Sequence, residues 1–311
     1  MRAVVTGATG FIGRPLCAAL VARGVAVTAL SRSVERAKER LGEKVVCLPW
    51  EQSQEEGWRQ AVAEADVVFH LAGEAVGGKR WTPEVKARIR SSRVETTRTL
   101  VTALQQATSP PKTLISASAV GYYGEGGDSL LTEAAPAGQD FLGEVCSQWE
   151  AEALKAEQVG VRVVLMRLGI VLGDGSALQK MLYPLPIPIS PWKLGLGGPL
   201  GNGRQWMPWI HLEDVVGMLL WAATQVSVQG AVNVTAPHLV TNADFSHALG
   251  RALHRPAILP IPKFALKILL GEFADSLLVS QKVVPTIAQQ LGYAFRHSNL
   301  EEALQAILKK H

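Results

Sequence analysis

The sequence predicts a doubly wound α/β fold, in which a parallel sheet carries helices on both faces and a smaller C-terminal lobe completes a cleft. Short β-branched runs alternate with helical apolar patterns up to Gly173, as expected for strands separated by crossover helices. The first of these runs ends in three glycines at the spacing of a nucleotide-binding turn. Proline and glycine become frequent after Gly173, which indicates a change of organisation.

The first predicted strand, Ala3–Thr6, runs into Gly7, Gly10 and Gly13, and a helical apolar pattern follows. Gly7 permits the tight turn, Gly10 leaves room for a pyrophosphate, and Gly13 lets the helix pack against the strand. The helix N-terminus offers unpaired N–H groups and a positive dipole end to the phosphates. A glycine-rich turn without a ligand is the alternative, but its place between a strand and a helix favours nucleotide binding. The expected cofactor contacts here are Gly7, Thr9, Gly10, Phe11 and Ile12.

The end of the second predicted strand, Val25–Leu30, distinguishes two forms of a nicotinamide cofactor. Folds that prefer NAD usually carry an Asp or Glu about 20 residues after the glycines, where it hydrogen-bonds the ribose hydroxyls. Here the residues are Ser31, Arg32 and Ser33, with no acid. A guanidinium offers a bidentate fork to a 2′-phosphate, and the modest basic cluster that continues to Arg40 suits a phosphorylated small ligand. The sequence therefore favours NADP(H), against the alternative that Arg32 is a solvated loop charge.

The next two predicted strands, Val45–Leu48 and Val67–Leu71, end at the same edge of the sheet. Ligands bind outside the carboxyl ends of the strands in such sheets. An aromatic and an acidic residue follow the first of these strands, where an adenine would lie. A small residue and a glycine follow the second, where the backbone can approach a cofactor. The candidates are Trp50, Glu51, Leu71, Ala72 and Gly73.

The fifth predicted strand, Thr113–Ala117, brings hydroxyl groups to this edge. Ser116 lies within the strand and is a further candidate cofactor contact. Ser118, Tyr122 and Tyr123 follow the strand, where side chains meet a bound ligand. These three are the candidate catalytic residues.

Further predicted elements complete the alternation of helices and strands. A polar segment, Ala75–Ser92, precedes a helix that starts near Arg93 and that prolines 110 and 111 stop. Another helix is predicted from Phe141 to about Gln158. The sixth strand is Val161–Leu168, and Gly230–Val234 is the last strand of the sheet.

Proline, glycine and tryptophan crowd the segment from Tyr183 to Trp209, and its run from Gly195 to Gly203 can hold little regular structure. Apolar and aromatic residues surround that run, so we interpret it as an ordered substrate loop rather than a linker. Arg204 and Gln205 follow it, and could either hold an anionic group of a substrate or act as scaffolding. The predicted division is a dinucleotide-binding domain of residues 1–173, rejoined by 211–236, and a smaller lobe of residues 174–210 and 237–311.

The motifs together resemble the extended short-chain dehydrogenase/reductases, the nucleotide-sugar epimerase and dehydratase group with a Rossmann-type sheet. The matching segments are Thr6–Gly13, His70–Gly73, Ser116–Ser118 with Tyr123–Gly124, and Trp209–Asp214. A closer resemblance, over essentially the whole chain, is to an atypical branch called epimerase family proteins, found in bacteria, plastids and animals. Its marks here are Leu71–Glu74, Ser91–Arg93, Trp149–Glu150, Arg167–Gly173, Thr241–Phe245 and Gln281–Pro285. The resemblance implies an NADP(H)-binding subunit, and some members carry a cell-division-inhibitor label.

Catalytic members of this group use a Tyr as general acid/base, a Lys one helical turn later and a Ser or Thr after the fifth strand. Ser118 fits the Ser position, but the helix from Phe141 contains no Tyr, and its first Lys is Lys155, too late for the pair. Tyr122 and Tyr123 are substitute proton donors, unless they pack against the cofactor or shape the loop. Glu144 and Cys146 are weaker substitutes, since a solvated carboxylate and a core thiol are the ordinary interpretations.

Two functions follow from this departure. The first is an NADP(H)-dependent oxidoreductase or epimerase-like enzyme of unknown small-molecule substrate, which the retained Ser118 and the glycine-rich loop favour. The second is an NADP(H)-binding sensor or assembly factor without turnover, in division of a cell or plastid, which the missing Tyr and Lys favour.

Composition excludes several other classes of protein. The net charge of +4 comes from scattered residues, so nucleic acid is not an expected partner. No apolar run reaches the roughly 18 residues that a membrane span needs. Three unclustered cysteines and a first strand directly after Met1 predict a reducing, cytoplasmic location, either a bacterial cytosol or a plastid stroma. His247 and His254 have no carboxylate placed for a metal, so no metal site is expected, and flanking helices could pair two copies into a homodimer.

Overall fold

A computed structural model of the protein describes residues 1–50, 56–78, 80–175, 177–182 and 190–309. The described strands are β1 (Arg2–Thr6), β2 (Ala26–Ser31), β3 (Val45–Pro49), β4 (Val67–His70), β5 (Thr113–Ala119), β6 (Leu130–Leu131), β7 (Arg162–Leu168), β8 (Ile170–Leu172), β9 (Trp209–His211), β10 (Gly230–Val234) and β11 (Lys282–Val283). The described α-helices are α1 (Gly13–Ala22), α2 (Val34–Leu41), α3 (Glu56–Ala63), α4 (Pro83–Gln106), α5 (Phe141–Leu154), α6 (Ala177–Leu182), α7 (Leu212–Thr224), α8 (Asn242–Ala252), α9 (Lys263–Leu270), α10 (Phe273–Leu278), α11 (Thr286–Gln290) and α12 (Leu300–Leu308).

A seven-stranded sheet, with the order β10-β7-β5-β4-β1-β2-β3, forms the centre of the protein, and every adjacent pair in it is parallel. Successive side chains of a strand point to opposite faces, so neighbours in β1 enter different cores. Val5 packs with Leu16 of α1 and Met218 of α7 on one face. Val4 packs with Trp58 of α3 and Leu100 of α4 on the other. The predicted doubly wound parallel sheet is confirmed.

A third apolar cluster lies beyond the sheet. It gathers Leu172 from β8, Trp209 from β9, Phe245 from α8 and Leu304 from α12, all buried. Two small parallel pairs, β8 with β9 and β6 with β11, join this C-terminal part to the loops at the carboxyl edge of the sheet. A cleft therefore forms where the strands of the main sheet end.

Two elements begin or end away from their predicted bounds. Helix α4 begins at Pro83, ten residues before Arg93, because Thr82 caps it by accepting a hydrogen bond from the N–H of Val85 at 3.3 Å, and proline suits the first helical position. Helix α5 ends at Leu154, and a 3-10 helix, Lys155–Val159, completes the predicted span.

Strand β5 also runs further than predicted, because its pairing with β7 continues to Ala119 opposite Leu168. Ser118 therefore lies inside the strand, opposite Arg167, rather than in the loop that follows it. This shift of two residues changes what its hydroxyl can contact.

Replacing Gly13 by Ala should destabilise the fold, because an added Cβ would lie 2.3 Å from the carbonyl oxygen of Gly7 and 2.7 Å from Cα of Ala8. We expect the free energy of unfolding, measured with urea, to fall by about 1–3 kcal/mol, as in overpacked sites. Gly57→Ala in α3 is the matched control. No atom lies within 4 Å of its added Cβ, so it should be neutral or stabilising by up to ~1 kcal/mol. Equal effects of the two substitutions would contradict the packing argument.

Candidate functional site

The glycine turn after β1 leaves an open surface at one residue. A Cβ on Gly7, whose φ is +65°, would lie 2.7 Å from the carbonyl carbon of Leu71, so this glycine is needed for the turn and its packing against the loop after β4. By contrast, a Cβ on Gly10 would meet a single atom within 4 Å, the oxygen of Gly7 at 3.1 Å. The space above Gly10 is therefore free for a ligand to approach the backbone.

The start of α1 adds donors beside that space. The N–H groups of Phe11 and Ile12 have no hydrogen-bond partner in the part of the chain that the structure describes. No side chain caps this helix N-terminus, where Ile12 occupies the N-cap position. Unsatisfied N–H groups at a helix N-terminus bind phosphate oxygens. The turn thus fits the pyrophosphate of a dinucleotide.

The end of β2 presents a cation beside this turn. The hydroxyl of Ser31 donates to the carbonyl of Ser33 at 3.0 Å and accepts from its N–H at 3.3 Å, which shapes a tight turn. Arg32 between them is exposed, and no described carboxylate forms an ion pair with it. Arg40 of α2 reaches back and donates to the carbonyl of Thr9 at 3.5 Å. A contact of Arg32 with a phosphate on the ribose stays a prediction.

A buried histidine fixes the loop after β4. Nδ1 of His70 lies 2.8 Å from the hydroxyl of Thr6, and its Nε2 lies 2.8 Å from the hydroxyl of Thr97. The Thr6 oxygen also accepts the N–H groups of Leu71 and Ala72, at 3.1 and 3.2 Å. The Thr6 hydroxyl therefore donates to Nδ1, and the proton on Nε2 is donated to Thr97. Burial lowers the pKa of His70 to about 4, so the ring is neutral at physiological pH.

The predicted adenine and ribose contacts near this loop are placed as follows. Leu71, Ala72 and Gly73 lie beside the glycine turn, held by the Thr6 hydroxyl. Trp50 follows β3 and packs edge-on against His70, with ring centroids 5.9 Å apart. Ser116 is fully buried, and its hydroxyl donates to the carbonyl of Ala117 at 3.2 Å. Glu51 lies outside the described residues, and the roles of the others in cofactor binding stay predictions.

Two residues that the sequence analysis gave no chemical role form a buried ion pair next to the candidate catalytic hydroxyls. Arg167 of β7 binds Glu150 of α5 in a bidentate manner, with Nε to Oε1 at 2.9 Å and Nη2 to Oε2 at 2.8 Å. Both side chains are at most 7% exposed. Glu150 also accepts the Ser118 hydroxyl at 2.6 Å. A pair removed from water needs such further hydrogen bonds to offset the desolvation of its charges.

The same guanidinium organises both tyrosines. It donates to the Tyr123 oxygen at 3.0 Å and lies 3.5 Å from the ring centroid of Tyr122. Tyr123 in turn donates to Oδ1 of Asn233 at 2.6 Å, and burial raises its pKa. The structure therefore brings the three candidate catalytic residues together around Arg167.

Their accessibility differs. Ser118 is 1% exposed and Tyr123 4% exposed, and both hydroxyls already have partners. Each hydroxyl donates its one proton inside the protein, to Glu150 and Asn233 respectively, so each would have to release that partner to donate to a substrate. Tyr122 is half-buried, and its hydroxyl has no partner among the described residues. The catalytic assignments stay predictions, and Tyr122 is the most exposed residue of the three.

The face of α5 where an acid/base pair would lie is apolar. Leu142 packs within 3.2 Å of the Cβ position of Gly121. Burial raises the pKa of the Cys146 thiol to about 12, so it is neither a base nor an acid near neutral pH. Glu144 is exposed and pairs with Arg90 at 3.3 Å. The ordinary interpretations of Cys146 as a core thiol and of Glu144 as a surface charge thus fit the structure.

An open cleft of about 420 Å³ is lined in part by Asp128, Arg204, Gln205 and Lys263. The predicted division of the chain into two lobes stays a prediction. Gln205 is buried and donates to the carbonyl of Leu200 at 3.1 Å, so it is scaffolding of the loop. Arg204 is exposed, and it forms no ion pair with a described carboxylate. Residues 183–189 of the predicted substrate loop lie outside the described residues.

One group of side chains with metal-binding chemistry occurs in the described ranges, although the sequence predicted no metal. Ligand atoms of His211, Glu213 and His297 all lie within 4.8 Å of one another. Nδ1 of His211 accepts the N–H of Glu213 at 3.1 Å and so caps α7, while Nε2 of His297 lies 3.1 Å from Glu213 Oε2. The two imidazole rings stack at 3.8 Å. His297 comes from a distant part of the chain, which is why spacing could not show the group.

Comparison with known families decides the classification. A model of the NAD dependent epimerase/dehydratase family matches residues 3–235, and a model of a domain of unknown function, DUF1731, matches residues 261–307. The chain belongs to the NAD-dependent epimerase/dehydratase family. The resemblance inferred from the sequence motifs is therefore confirmed. No helix in the described ranges is both long and apolar enough to span a membrane.

Several members of this family are similar over the whole chain. The chloroplastic epimerase family protein SDR39U1 homolog of Arabidopsis thaliana is 42% identical over 99% of this chain and 87% of its own length. Epimerase family protein YfhF of Bacillus subtilis is 37% identical over 99% of this chain and 98% of its own length.

Solved structures extend the comparison. The human epimerase family protein SDR39U1, crystallised with NADPH, has a TM-score of 0.85 and 33% identity, with 100% of both chains covered. A nucleoside-diphosphate sugar epimerase of Corynebacterium glutamicum has a TM-score of 0.76 and 30% identity, covering 100% of this chain and 59% of its own. The UDP-glucuronic acid 4-epimerase of Bacillus cereus, at 17% identity and a TM-score of 0.75, shares the fold.

The neutral state of His70 predicts a pH dependence of stability. Because burial lowers its folded pKa to about 4 from 6.5, the unfolded chain binds the proton first as the pH falls. The free energy of unfolding is therefore unaffected by the titration of His70 above pH 6.5, and it decreases as the pH falls from 6.5 towards 4. The decrease amounts to about 3 kcal/mol at most. Urea unfolding at a series of pH values should show a shallower loss for His70→Gln than for the wild type. Parallel curves for the two proteins would refute the assignment.

Proposed function

We propose that this protein binds NADP(H) and acts as an NADP(H)-dependent oxidoreductase or epimerase-like enzyme on a small-molecule substrate. The observation that carries the proposal is the pair of unsatisfied N–H groups on Phe11 and Ile12 above the open surface of Gly10. The exposed Arg32, in a place where NAD-preferring folds carry an acid, supports the phosphorylated form of the cofactor. The NADPH in the crystal structure of the human relative supports the same choice.

Different residues of the chain would bind different parts of the cofactor. Phe11 and Ile12 would donate to the pyrophosphate, and Arg32 would pair with the 2′-phosphate. The loop from Leu71 to Gly73 would border the nicotinamide half, since it lies at the carboxyl edge beside Gly7. When bound, the nicotinamide gives or accepts a hydride.

Proton exchange with the substrate is assigned to Tyr122. Leu142 and Cys146 provide no titratable group near neutral pH on the face of α5. The Tyr122 hydroxyl has no protein partner among the described residues, and the Arg167 guanidinium lies 3.5 Å from the centroid of its ring, which fixes the ring. Ser118 and Glu150 hold Arg167 in place, so they would act by positioning that cation.

A second function is an NADP(H)-binding sensor or assembly factor that does not turn over. The observation that favours it is the apolar face of α5 in place of an acid/base pair. Its output would be a contact with a partner protein. The expected cytosolic or stromal location and a homodimer through the flanking helices are proposals that apply equally to both functions.

Turnover separates the two functions. Purified protein is mixed with NADPH and a panel of small carbonyl compounds and sugar nucleotides, and absorbance of the reduced nicotinamide is followed. The sugar nucleotides are also incubated with the oxidised cofactor and separated by chromatography, because an epimerase returns the hydride and leaves the absorbance unchanged. For an enzyme, we expect NADPH oxidation with at least one compound or epimerisation of a sugar nucleotide, and a loss of 100-fold or more in Tyr122→Phe, with NADPH affinity retained. NADPH binding without turnover on any compound would support the sensor.

Replacing Arg32 by Ala should weaken NADPH at least 10-fold while changing NADH little, because the guanidinium pairs with the 2′-phosphate alone. Isothermal titration of both cofactors measures the ratio. Arg23→Ala is the matched control, since Arg23 is exposed at the far end of α1 and donates to the carbonyl of Ala19. Equal weakening of NADPH and NADH by Arg32→Ala would exclude the 2′-phosphate contact.

A further inference from the structure

A guanidinium in the middle of α4 lies directly against the loop after β4. A Cβ added to Gly73 would lie 3.3 Å from both Cζ and Nη2 of Arg93. Nη2 donates to the carbonyl of Glu74 at 3.0 Å. In sheets of this kind the loop borders the nicotinamide half of a dinucleotide, so a cation is held beside that half.

Arg93 has no anionic partner in the described parts of the chain. No carboxylate oxygen of a described residue lies within the 4.0 Å of an ion pair with Arg93. The Glu74 carboxylate acts on it only at longer range, and pairs with Arg88 at 3.5 Å. Nη1 donates to the carbonyl of Ile89 at 3.1 Å and to the Ser92 hydroxyl at 3.5 Å, and the ring of Trp149 lies 5.3 Å away. Burial lowers the pKa of Arg93, which marks the cost of keeping this charge from water.

The donors of the guanidinium are not exhausted by these contacts. An arginine side chain has five N–H groups in a planar fork. The bonds to Ile89, Ser92 and Glu74 use Nη1 and Nη2, and Nε has no partner among the described residues. A half-buried cation with an unused donor and no directly paired carboxylate is stabilised by an oxygen-rich or anionic ligand.

The neighbouring face of α5 carries no compensating cation of its own. Helix α5 contains neither Lys nor Arg. Arg93 lies against this helix, since its guanidinium is 5.3 Å from the ring of Trp149. Arg93 thus supplies from α4 a positive charge that α5 lacks.

We propose that Arg93 is a cofactor-binding residue whose guanidinium donates to the ribose or phosphate oxygens in the nicotinamide half of NADP(H). The proposal rests on the proposed function, because it assumes that the glycine turn holds the dinucleotide. It adds a contact at the end of the cofactor opposite Arg32. The competing role is a structural one, in which Arg93 only clamps the loop through Glu74.

Two ligands distinguish contact from clamping. NADPH contains the nicotinamide ribose and its phosphate, and adenosine 2′,5′-bisphosphate lacks both. Arg93→Met keeps most of the apolar stem and removes every N–H. We expect it to raise the Kd of NADPH at least 10-fold, and to leave the Kd of adenosine 2′,5′-bisphosphate within 2-fold, both by isothermal titration. Equal loss of both ligands, or no loss of NADPH affinity, would overturn the proposal.

Two control variants test the clamp directly. Ser92→Ala removes the hydroxyl that accepts the Glu74 N–H at 3.1 Å, and Arg88→Met removes the ion pair with the Glu74 carboxylate at 3.5 Å. Neither is placed to contact the cofactor, so NADPH affinity should change less than 3-fold in both. A loss in Arg88→Met that matches Arg93→Met would assign the effect to the loop. Ser92→Ala also removes an acceptor of the Arg93 guanidinium at 3.5 Å, so a loss in that variant alone would not.

Arg93→Lys keeps the positive charge and loses the planar guanidinium. It replaces Arg93→Met in the experiment if thermal unfolding shows that Arg93→Met does not fold. Its NADPH affinity should lie between those of the wild type and Arg93→Met, again with adenosine 2′,5′-bisphosphate unchanged. Wild-type affinity for NADPH in Arg93→Lys would contradict the contact where Arg93→Met does not fold. A wild-type protein that binds neither ligand would instead overturn the proposed function.

Discussion

The close approach of two backbone segments, the glycine turn after β1 and the loop after β4, controls the rest of this site. Gly7 leaves no room for a side chain against the Leu71 carbonyl, and the Thr6 hydroxyl accepts both N–H groups that start the loop. A neutral His70 then connects that hydroxyl to Thr97 in α4. Because these contacts are short and buried, the turn, the loop and α4 form one rigid unit.

Much of this unit could be predicted from the sequence, because its signals are local. The strand before Gly7, the glycine spacing and the lack of an acid at Arg32 each depend on a few adjacent residues. The start of α4 was also within reach, since Thr82 followed by Pro83 is a helix start signal that the sequence analysis passed over. Local patterns therefore gave the fold and the phosphate-binding turn.

The remainder depends on pairing between distant segments. Whether Ser118 faces a cleft or a core depends on how far β5 pairs with β7. The hydrophobic pattern of the sequence does not show where this pairing ends. The ion pair of Glu150 and Arg167 joins helix α5 to strand β7. It can be recognised only when the packing of this helix against this strand is known. In the sequence, Arg93 is one of several charged residues of a long helix. Its contact with Gly73 depends on the packing of α4 against the loop after β4.

The short pairing of β6 with β11 links the C-terminal module to the buried tyrosine. The side-chain amide of Asn233, which accepts from Tyr123, donates to the carbonyls of Leu131 and Val284 on either side of that pairing. Glu133 likewise accepts the N–H groups of Asn233 and Ile287. The orientation of the Tyr123 hydroxyl therefore depends on the C-terminal module being docked. Displacing β11 would break the Asn233 bond to Val284 and the Glu133 bond to Ile287 together.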